Sequence, residues 1–323
     1  DHNYIPLTER VTDHLGERPT HLPRQRMWKV RAGQTVLAQG AHERPLVFSG
    51  NDLPGVMLSG AVRSYITRYG VVPGNRTVVF TNNDDAYRTA LALHGAGAHV
   101  VVVDLRRDLK GELVKAVRAA GIEVKSGSAV TIAAGTQRIA RVEISPVNEG
   151  STQVLDDPIH MDCDLLAMSG GLTPAVHLHS QARGKLGWDE QQLCFKPTNV
   201  HEASFNAGAG NGVFATDKAI ENGIQAGTAA ARAAGFDIAD DSAPKVAAPA
   251  QSWRPLAAWK VTNGMGEGEG PKAFVDYQND VTASDLKLAV REGYQSVEHV
   301  KRYTTLGMAT DQGKTSNING LAI

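Results

Sequence analysis

Cysteine is scarce in this sequence: Cys163 and Cys194 are the only two among 323 residues. Two cysteines so far apart form no disulfide framework and no CxxC motif, which excludes a thiol-ligated zinc or redox centre of the usual kind. We predict a reducing, cytoplasmic compartment. A catalytic thiol at Cys163 is not expected, because this cysteine opens an apolar run where a thiolate is disfavoured.

The sequence also lacks a charge bias and a long hydrophobic run. The formal net charge is −1, which provides no field to attract nucleic acid or an anionic membrane. No apolar run reaches the roughly 18 residues of a membrane-spanning helix. We therefore predict no nucleic acid and no membrane partner. The chain starts with Asp1 and has no signal segment, so we interpret it as an internal piece of a longer protein.

The sequence also lacks the glycine fingerprint of a dinucleotide-binding unit at the place where its strand and helix patterns predict one. Residues 76–81 form a β-branched strand pattern, residues 84–97 have helical apolar spacing, and residues 99–104 form a second buried strand. This βαβ pattern predicts a Rossmann-like domain, extended by a helix over 113–120 and by strands further along the chain. Asp104 occupies the position of the acid that binds the ribose.

Side chains stand where the fingerprint has glycines. Thr81, Asn83 and Ala86 take the three glycine positions, and Asp84 and Asp85 lie at the helix start. Glycines let the backbone approach a pyrophosphate, and two carboxylates would repel it. We predict a Rossmann scaffold that has lost its nucleotide; the alternative is a site of unusual chemistry.

Pieces of a different domain flank this unit. Residues 29–45 form a strand that ends in a glycine turn, residues 163–174 form a return strand, and residues 204–214 form a strand and turn before a helix over 217–234. Such segments are typical of flavoproteins with two dinucleotide-binding domains. The sequence thus predicts a domain inserted into another domain.

Four strings make a resemblance specific: AHERPLVF, FTNNDDAYRTALAL, SGGLTPAVHLHSQ and VEHVKRYTTLGMATDQGKTSN. In this order they are similar to the alpha subunit of heterotetrameric sarcosine oxidase, and the resemblance covers nearly the whole chain. In that family the alpha chain continues at both ends, with a glycine-fingerprint unit before this segment and a folate-binding domain after it.

The resemblance implies an α/β fold of the glutathione-reductase type, with two dinucleotide-binding domains of Rossmann architecture. The expected divisions are part of the outer domain over 1–70, an inserted Rossmann-like domain over 71–160, the return part of the outer domain over 161–240, a linker over 241–271 and a small helical domain over 272–323.

The resemblance implies NAD in the outer domain, FAD in the beta subunit and FMN between the alpha and beta subunits. One feature of the residues agrees with NAD: the Gly-Asp pair that binds a flavin ribityl chain is replaced by Gly208-Ala209. The alternative is that both dinucleotide sites have decayed. The residues expected to line the NAD site are Gly40, Ala41, Gly208, Gly210, Asn211 and Gly212.

The last part of the chain resembles the small helical domain of bacterioferritin-associated ferredoxin. Thr282 with Asp285 predicts a capped helix, and a second helix is expected from Ser296. In an alignment with that domain, the four cluster thiolates are replaced by Asp276, Gln278, Asp311 and Ser316. Oxygen donors do not replace four soft sulfur ligands, so we predict no iron-sulfur cluster.

Cations and hydroxyls flank the former cluster position, and these groups suit a phosphate. Together with the interfacial FMN of the family, they predict that this region binds the FMN phosphate and ribityl chain. The alternative is a solvated basic helix face. The predicted residues are Lys301, Arg302, Thr304, Thr305, Lys314, Thr315 and Ser316.

The resemblance implies an oxidoreductase complex that demethylates sarcosine to glycine, releases hydrogen peroxide and passes a one-carbon unit to folate. Its partners would be the FAD-containing beta subunit and the gamma and delta subunits. We expect neither a catalytic residue nor a metal site in this chain, since His177 and His179 have no third ligand. The alternatives are a related complex for proline, opines or dimethylglycine, and an assembly module without catalysis.

Overall fold

The computed structural model describes residues 2–148, 153–155, 157–238, 244, 253–265 and 269–323. Its contacts divide the chain into two compact units. The first unit, here called the outer unit, contains residues 1–41, 174–189 and 195–248. The second, here called the sheet unit, contains residues 42–173, 190–194 and 249–323.

Strands and helices alternate along the described residues. The strands are β1 (Tyr4–Arg10), β2 (Gln25–Arg31), β3 (Thr35–Leu37), β4 (Ala41–Glu43), β5 (Val56–Leu58), β6 (Arg76–Thr81), β7 (His99–Asp104), β8 (Glu123–Ser126), β9 (Ser128–Gly135), β10 (Ile139–Pro146), β11 (Ile159–Asp162), β12 (Leu165–Ser169), β13 (Leu172–Pro174), β14 (Lys185–Asp189), β15 (Cys194–Asn199), β16 (Ser204–Asn206), β17 (Phe274–Asp276) and β18 (Val281–Thr282). The helices are α1 (Ser59–Tyr69), α2 (Asp85–Gly95), α3 (Glu112–Ala119), α4 (His177–Gln181), α5 (Thr216–Ala233), α6 (Ala283–Arg291), α7 (Val297–Thr304) and α8 (Asn317–Ala322).

A parallel sheet of five strands, in the order β5-β12-β6-β7-β8, forms the centre of the sheet unit. The predicted βαβ unit is confirmed, since β6 and β7 have the expected bounds and α2 lies between them. The structure differs from prediction at β12, which the sequence analysis assigns to the return part of the outer domain. All five residues of β12 are buried, and such an apolar run satisfies a central parallel strand that is covered on both faces.

The two faces of this sheet are covered differently. Helices α1, α2 and α3 bury one face, with side chains such as Val62, Tyr87 and Val114 in the shared core. The opposite face packs on the antiparallel sheet β11-β10-β9 and on Ala258 and Val261. Strand β10, one of the strands predicted further along the chain, therefore exists but belongs to this second sheet.

The C-terminal part of the sheet unit contains β17, β18 and helices α6 to α8. Thr282 and Asp285 form the predicted capping box at the start of α6, and Ser296 precedes α7 as expected. Val47 completes the core of this part with Val275 and Leu306. The segment after β4 thus packs against the C-terminal part and contributes Val47 to its core.

The outer unit retains short elements of a dinucleotide-binding fold. Strands β3 and β16 pair in parallel, and α5 follows a 3-10 turn at Gly208–Asn211. The predicted helix over 217–234 is confirmed within one residue at each end. Strands β1 and β2 form an antiparallel pair, and β14 pairs with β15.

The predicted linker over 241–271 is described only in part, and its described residues 253–265 belong to the sheet unit. Among the described helices, none combines the length and apolar character needed to cross a membrane.

Candidate nucleotide and flavin sites

Side chains fill the turn after β6, where a nucleotide-binding protein has glycines. Residues 81–84 are at most 3% exposed. The Asn83 side-chain amide donates to the carbonyl of Ser169 at 3.1 Å, and the Asn82 amide donates to the carbonyl of Leu256 at 2.7 Å. A pyrophosphate needs this space for close approach to the backbone. The arrangement supports the prediction that this turn holds no nucleotide.

The acid at the ribose position is engaged by its own neighbours. Both oxygens of Asp104 accept hydrogen bonds, Oδ1 from the backbone N–H of Arg106 at 2.9 Å and Oδ2 from the Tyr87 hydroxyl at 2.9 Å. The Arg106 guanidinium lies 2.7 Å from Asp104 and 2.7 Å from Asp84. Asp104 is fully buried, so a ribose would have to displace these bonds.

Burial and charge act against each other in this cluster. Burial works to lower the pKa of Arg106, but Asp104 and Asp84 raise it above its ordinary value. Burial and the nearby Asp104 carboxylate raise the pKa of Tyr87, which keeps its hydroxyl a donor. Burial raises the pKa of Asp104 above its ordinary value, although Arg106 acts to lower it. The cluster thus places one cation between two buried carboxyl groups.

Residues 253–261, here called the strap, cross the end of the sheet beside this turn. The strap Leu256 N–H donates to the carbonyl of Asn82 at 3.1 Å, and this bond is the reciprocal of the Asn82 side-chain bond. Further along, Val261 donates to the carbonyl of Val47 at 2.8 Å. The strap therefore satisfies backbone groups at the edge where open α/β sheets bind ligands.

A buried arginine holds the strap to two other segments. The Arg44 guanidinium donates to the carbonyls of Gly170 and Leu193, at 2.9 and 2.8 Å, and lies 4.9 Å from the centre of the Trp259 ring. Burial lowers the pKa of Arg44 to about 10. Three distant parts of the chain meet at this cation.

In the outer unit, the structure brings the six residues predicted for NAD to two adjacent turns. Gly40 and Ala41 follow β3, and the other four follow β16. A Cβ placed on Gly210 would lie 3.5 Å from the Gly40 carbonyl oxygen, so the two turns are in near contact. Gly40 has a φ of +79° and Gly208 a φ of +61°, a backbone region that favours glycine.

Two other candidates of the sequence analysis have structural roles. His179 is buried, and its ring contacts the Lys185 carbonyl at 3.1 Å and the Asn206 amide at 3.2 Å. Burial raises the pKa of Cys163 to about 12, so this thiol is no nucleophile at neutral pH. Within the described ranges, no group of three or more His, Cys, Asp or Glu side chains could hold a metal ion.

The four residues at the former cluster positions are linked by hydrogen bonds. Asp276 Oδ2 accepts from the Gly307 N–H at 2.7 Å and from the Ser316 hydroxyl at 3.4 Å. Gln278 Oε1 accepts from the backbone N–H of Asp311 at 3.3 Å. The polar side chains thus bond to one another and to the backbone at the positions that the sequence analysis aligns with cluster ligands.

Asp311 is held as a carboxylate in this network. Burial works to raise the pKa of Asp311, but the Gly313 N–H and the Thr315 hydroxyl lower it below its ordinary value. The hydroxyl donates at 2.9 Å and the N–H at 3.0 Å. These donors stabilise an anion without any metal.

The predicted phosphate ligands divide between α7 and the loop after it. Arg302 is exposed and Lys301 half-buried in the last turn of α7. The Thr304 hydroxyl donates to the carbonyl of Val300, and the Thr305 hydroxyl donates to the carbonyl of Thr304.

In the loop, Lys314 Nζ donates to the Asp311 carbonyl at 3.0 Å. Ser316 is fully buried and bonded to Asp276, which leaves it no surface toward a phosphate. This placement disfavours the phosphate prediction for Ser316, because its side chain faces inward against Asp276.

Sequence reasoning missed a cavity of about 220 Å³ between the sheet and the C-terminal part. Asn51 is 2% exposed there, and its amide donates to the Tyr277 hydroxyl at 2.9 Å and to the Phe274 carbonyl at 2.8 Å. The available signal was Tyr277 itself, an aromatic residue between two former cluster positions. The lining residues are Pro45, Asn51, Asp52, Val56, Met57, Leu58, Met168, Tyr277 and Thr315.

Known proteins resemble this chain from end to end. The sarcosine oxidase subunit alpha of Corynebacterium sp. (strain P-1) is 40% identical over 324 residues, which cover 100% of this chain and 33% of that subunit. The subunit alpha of Rhizobium meliloti (strain 1021) is 37% identical and is covered to 31%. The chain thus spans about a third of the length of these relatives.

A family model and a solved structure agree with these relatives. The model described as the sarcosine oxidase A3 domain matches residues 270–323. The crystal structure of L-proline dehydrogenase from P. horikoshii superposes with a TM-score of 0.62 over 91% of this chain and 53% of that one, at 17% identity. That likeness confirms the predicted flavoprotein fold, and the 323 residues correspond throughout to about one third of a sarcosine oxidase alpha subunit.

Proposed function

We propose that this chain is part of the alpha subunit of a sarcosine oxidase complex, an oxidoreductase of the cytoplasm. The observation that carries the proposal is the 40% identity to such a subunit along all of this chain. The proposed partners are a beta subunit with FAD and the gamma and delta subunits.

The proposed reaction balances without a catalytic side chain from this segment. The methyl carbon of sarcosine loses a hydride and the nitrogen loses a proton, which together are two electrons and two protons. Water adds to the resulting imine, and glycine and a one-carbon unit at the formaldehyde level are released. Oxygen takes the electrons and protons and becomes hydrogen peroxide. The one-carbon unit passes to folate bound elsewhere in the complex. This chain would hold cofactors and would not contact the amine.

NAD is the proposed ligand of the outer unit. The turn at Gly40 leaves open space beside its backbone, Gly210 lets the second turn pack against Gly40, and the N-terminus of α5 follows the second turn. Ala209 supplies no carboxylate for a flavin ribityl chain. These features fit NAD better than FAD.

FMN is the proposed ligand where the C-terminal part faces the beta subunit. Lys301, Arg302, Thr304, Thr305, Lys314 and Thr315 are the proposed neighbours of its phosphate and ribityl chain, without the buried Ser316. Bound FMN would supply electron transfer between the FAD of the beta subunit and oxygen. The cations of this chain would neutralise the phosphate, and the network around Asp276 would keep the loop in place.

An assembly module is the second candidate, and the filled turn after β6 favours it. A chain that has closed one nucleotide site with its own side chains could have lost the other sites as well. Related complexes that oxidise proline, opines or dimethylglycine are a further alternative within the enzyme class.

Co-purification of the complete alpha chain with its beta, gamma and delta partners tests these candidates. We expect FAD, FMN and NAD in the complex, and reduction of both flavins when sarcosine is added without oxygen. A complex without FMN and NAD would favour the assembly module. Reduction by proline or dimethylglycine but not by sarcosine would favour a related enzyme.

A further inference from the structure

An apolar groove of about 240 Å³ lies between helices α6, α7 and α8, and it is here called the three-helix groove. Leu286 and Leu306 line its inner part and are at most 3% exposed. Val290, Val297 and Leu321 also line it, and these side chains are 58%, 42% and 51% exposed. The groove thus continues the core of the C-terminal part to the surface, and the proposed function does not use it.

Helix α7 has an apolar face that the described residues cover only in part. Val297 and Val300 are three residues apart, so they lie on one face of the helix, and both line the groove. None of the eight residues of α7, all of which the structure describes, is fully buried. A short amphipathic helix gains most of its stability from burial of its apolar face. The groove side of α7 therefore lacks the apolar cover that such a helix requires.

Helix α8 brings the last residues of this sequence to the same groove. A Cβ placed on Gly320 would lie 2.4 Å from Leu306 Cδ2, so α8 packs closely on Leu306 at this glycine. Leu321 and Ile323 line the groove, and the Ile323 N–H donates to the carbonyl of Asn319 at 3.0 Å. The backbone is thus still in the last turn of α8 at Ile323. Residues joined to Ile323 would start beside the open groove.

The length of the relatives makes such residues the favoured cover. This chain covers 33% and 31% of the two sarcosine oxidase alpha subunits, so most of each subunit lies outside the aligned residues. A segment tethered at the edge of a groove has a high effective concentration there. It therefore covers the groove more readily than a separate partner with the same apolar area.

We propose that the three-helix groove is covered by the segment that follows Ile323 in the complete alpha chain. This segment would place apolar side chains against Val290, Val297 and Leu321 and keep its polar side chains toward water. The inference rests on the part of the proposed function that makes this chain one piece of an alpha subunit. The cover would also stabilise α7, the helix that carries Lys301 and Arg302.

The first test identifies what covers the groove in the complete alpha chain within its complex. The photoreactive residue p-benzoylphenylalanine replaces Val290 in one preparation and Leu321 in another. Val71, a valine that is 50% exposed after α1, receives the same residue as the matched control. Isotopically light and heavy alpha chains are mixed, and mass spectrometry after illumination identifies the cross-linked peptides. Thermal melting verifies that each preparation is folded.

We expect positions 290 and 321 to cross-link to the segment directly after Ile323 of the same alpha chain. Position 71 should not label this segment. The use of two positions keeps the test valid if one of the replacements prevents folding.

The second test measures whether the cover stabilises α7. Val290→Arg puts a bulky cation into the groove, so hydrogen exchange of the backbone amides of Val297–Thr304 should become faster by at least about tenfold. Val71→Arg should leave these exchange rates unchanged. Equal exchange rates in the two folded variants would contradict the cover.

Other occupants have their own signatures. Cross-links from positions 290 and 321 to the beta, gamma or delta subunit, or between light and heavy alpha chains, would overturn the proposal. Labelling no stronger than that from position 71 would overturn it as well. The proposed function fails separately: a complex that contains no FMN and is not reduced by sarcosine contradicts that function, whereas the cross-link within the alpha chain would still establish the cover.

Discussion

The carboxylate of Asp276 accepts the backbone N–H of Gly307 at 2.7 Å, and this bond joins β17 to the loop after α7. Asp276 is 2% exposed and also accepts from the N–H groups of Gln278 and Asn279. Asp276 therefore holds together the loops that the ferredoxin resemblance predicts to surround a cluster position.

Asp276→Ala should lower the free energy of unfolding of the C-terminal part by about 2 to 4 kcal/mol, because several buried donors lose their acceptor. Denaturant unfolding of the complete alpha chain, followed by tryptophan fluorescence and circular dichroism, measures this change. Glu298→Ala, on the exposed face of α7, should have little effect. Equal stability of the Asp276 and Glu298 variants would contradict the proposed role of the network.

Iron should be missing from the purified complex. The four residues at the ligand positions are bonded to each other and to the backbone, and oxygen donors are poor ligands for an iron-sulfur cluster. Metal analysis by mass spectrometry and the absorption spectrum after flavin removal measure iron directly. Iron in a constant ratio to the alpha chain would refute this prediction.

Arg106→Met should destabilise the sheet unit by about 3 to 5 kcal/mol, because it leaves the buried carboxylates of Asp104 and Asp84 without their cation. Arg118→Met, on the exposed face of α3, is the matched control. Chemical denaturation of both variants provides the comparison. An Arg106 variant as stable as the control would mean that these carboxylates are protonated or hydrated.

NAD should bind in the outer unit only. Gly210→Val places methyl groups at the near contact with Gly40, so NAD affinity should fall at least about tenfold, while Gly223→Val in α5 should leave it unchanged. Isothermal titration of the complete complex gives affinity and stoichiometry. Two NAD molecules per alpha chain, or equal affinity in both variants, would contradict this assignment.

The stability of the sheet unit should fall as the pH rises from 4.5 to 7, through Glu43. Burial raises the pKa of Glu43 from 4.5 to about 7. The Gly60 N–H, which donates to Glu43 Oε2 at 2.7 Å, acts in the opposite direction and lowers this pKa. Ser169 and Arg63 also lower this pKa, and Asp85 raises it.

The folded state binds the Glu43 proton more tightly than the unfolded state does. The stabilisation is therefore complete below the unfolded pKa and is lost as the pH passes the folded pKa. It amounts to about 3 kcal/mol. Denaturant unfolding at several pH values should show this slope in the unmodified protein. Glu43→Gln should remove it, and the exposed Glu298→Gln should not; a slope that persists in Glu43→Gln would assign it to another group.

Removal of the cations on α7 should weaken FMN binding. Lys301→Ala with Arg302→Ala deletes two charges of the last turn of α7, one half-buried and one exposed, and a charge-assisted bond to phosphate contributes about 1.5 to 3 kcal/mol. FMN content per complex should fall, while FAD reduction by sarcosine should persist. Unchanged FMN content would favour a solvated basic face.

Local patterns predicted much of this fold, but not its long-range pairing. The apolar runs at β6 and β7 and the cap at Thr282 depend on neighbours in sequence, so their bounds were predictable. The position of β12 depends on which strand it pairs with, and a buried run carries no information about its partner.

In the candidate sites, too, local features were predictable from the sequence and long-range contacts were not. The missing glycines and cysteines were visible in the sequence, whereas the ion pairs of Arg106 and the amide of Asn51 depend on tertiary contacts. Nothing in the spacing of Asn51 and Tyr277 indicates that their side chains meet. The cavity was therefore out of reach of sequence reasoning.

The reciprocal bonds between Asn82 and Leu256 stabilise the turn after β6 without a ligand, so this stabilisation does not depend on a ligand concentration. A domain that needs a dissociable nucleotide for stability responds to the concentration of that nucleotide. Here the strap belongs to the same polypeptide as the turn. Its effective concentration at the turn is therefore set by the chain that connects them and does not change with the concentration of any metabolite. The turn after β6 should therefore keep the same local stability in cells that are rich or poor in dinucleotides.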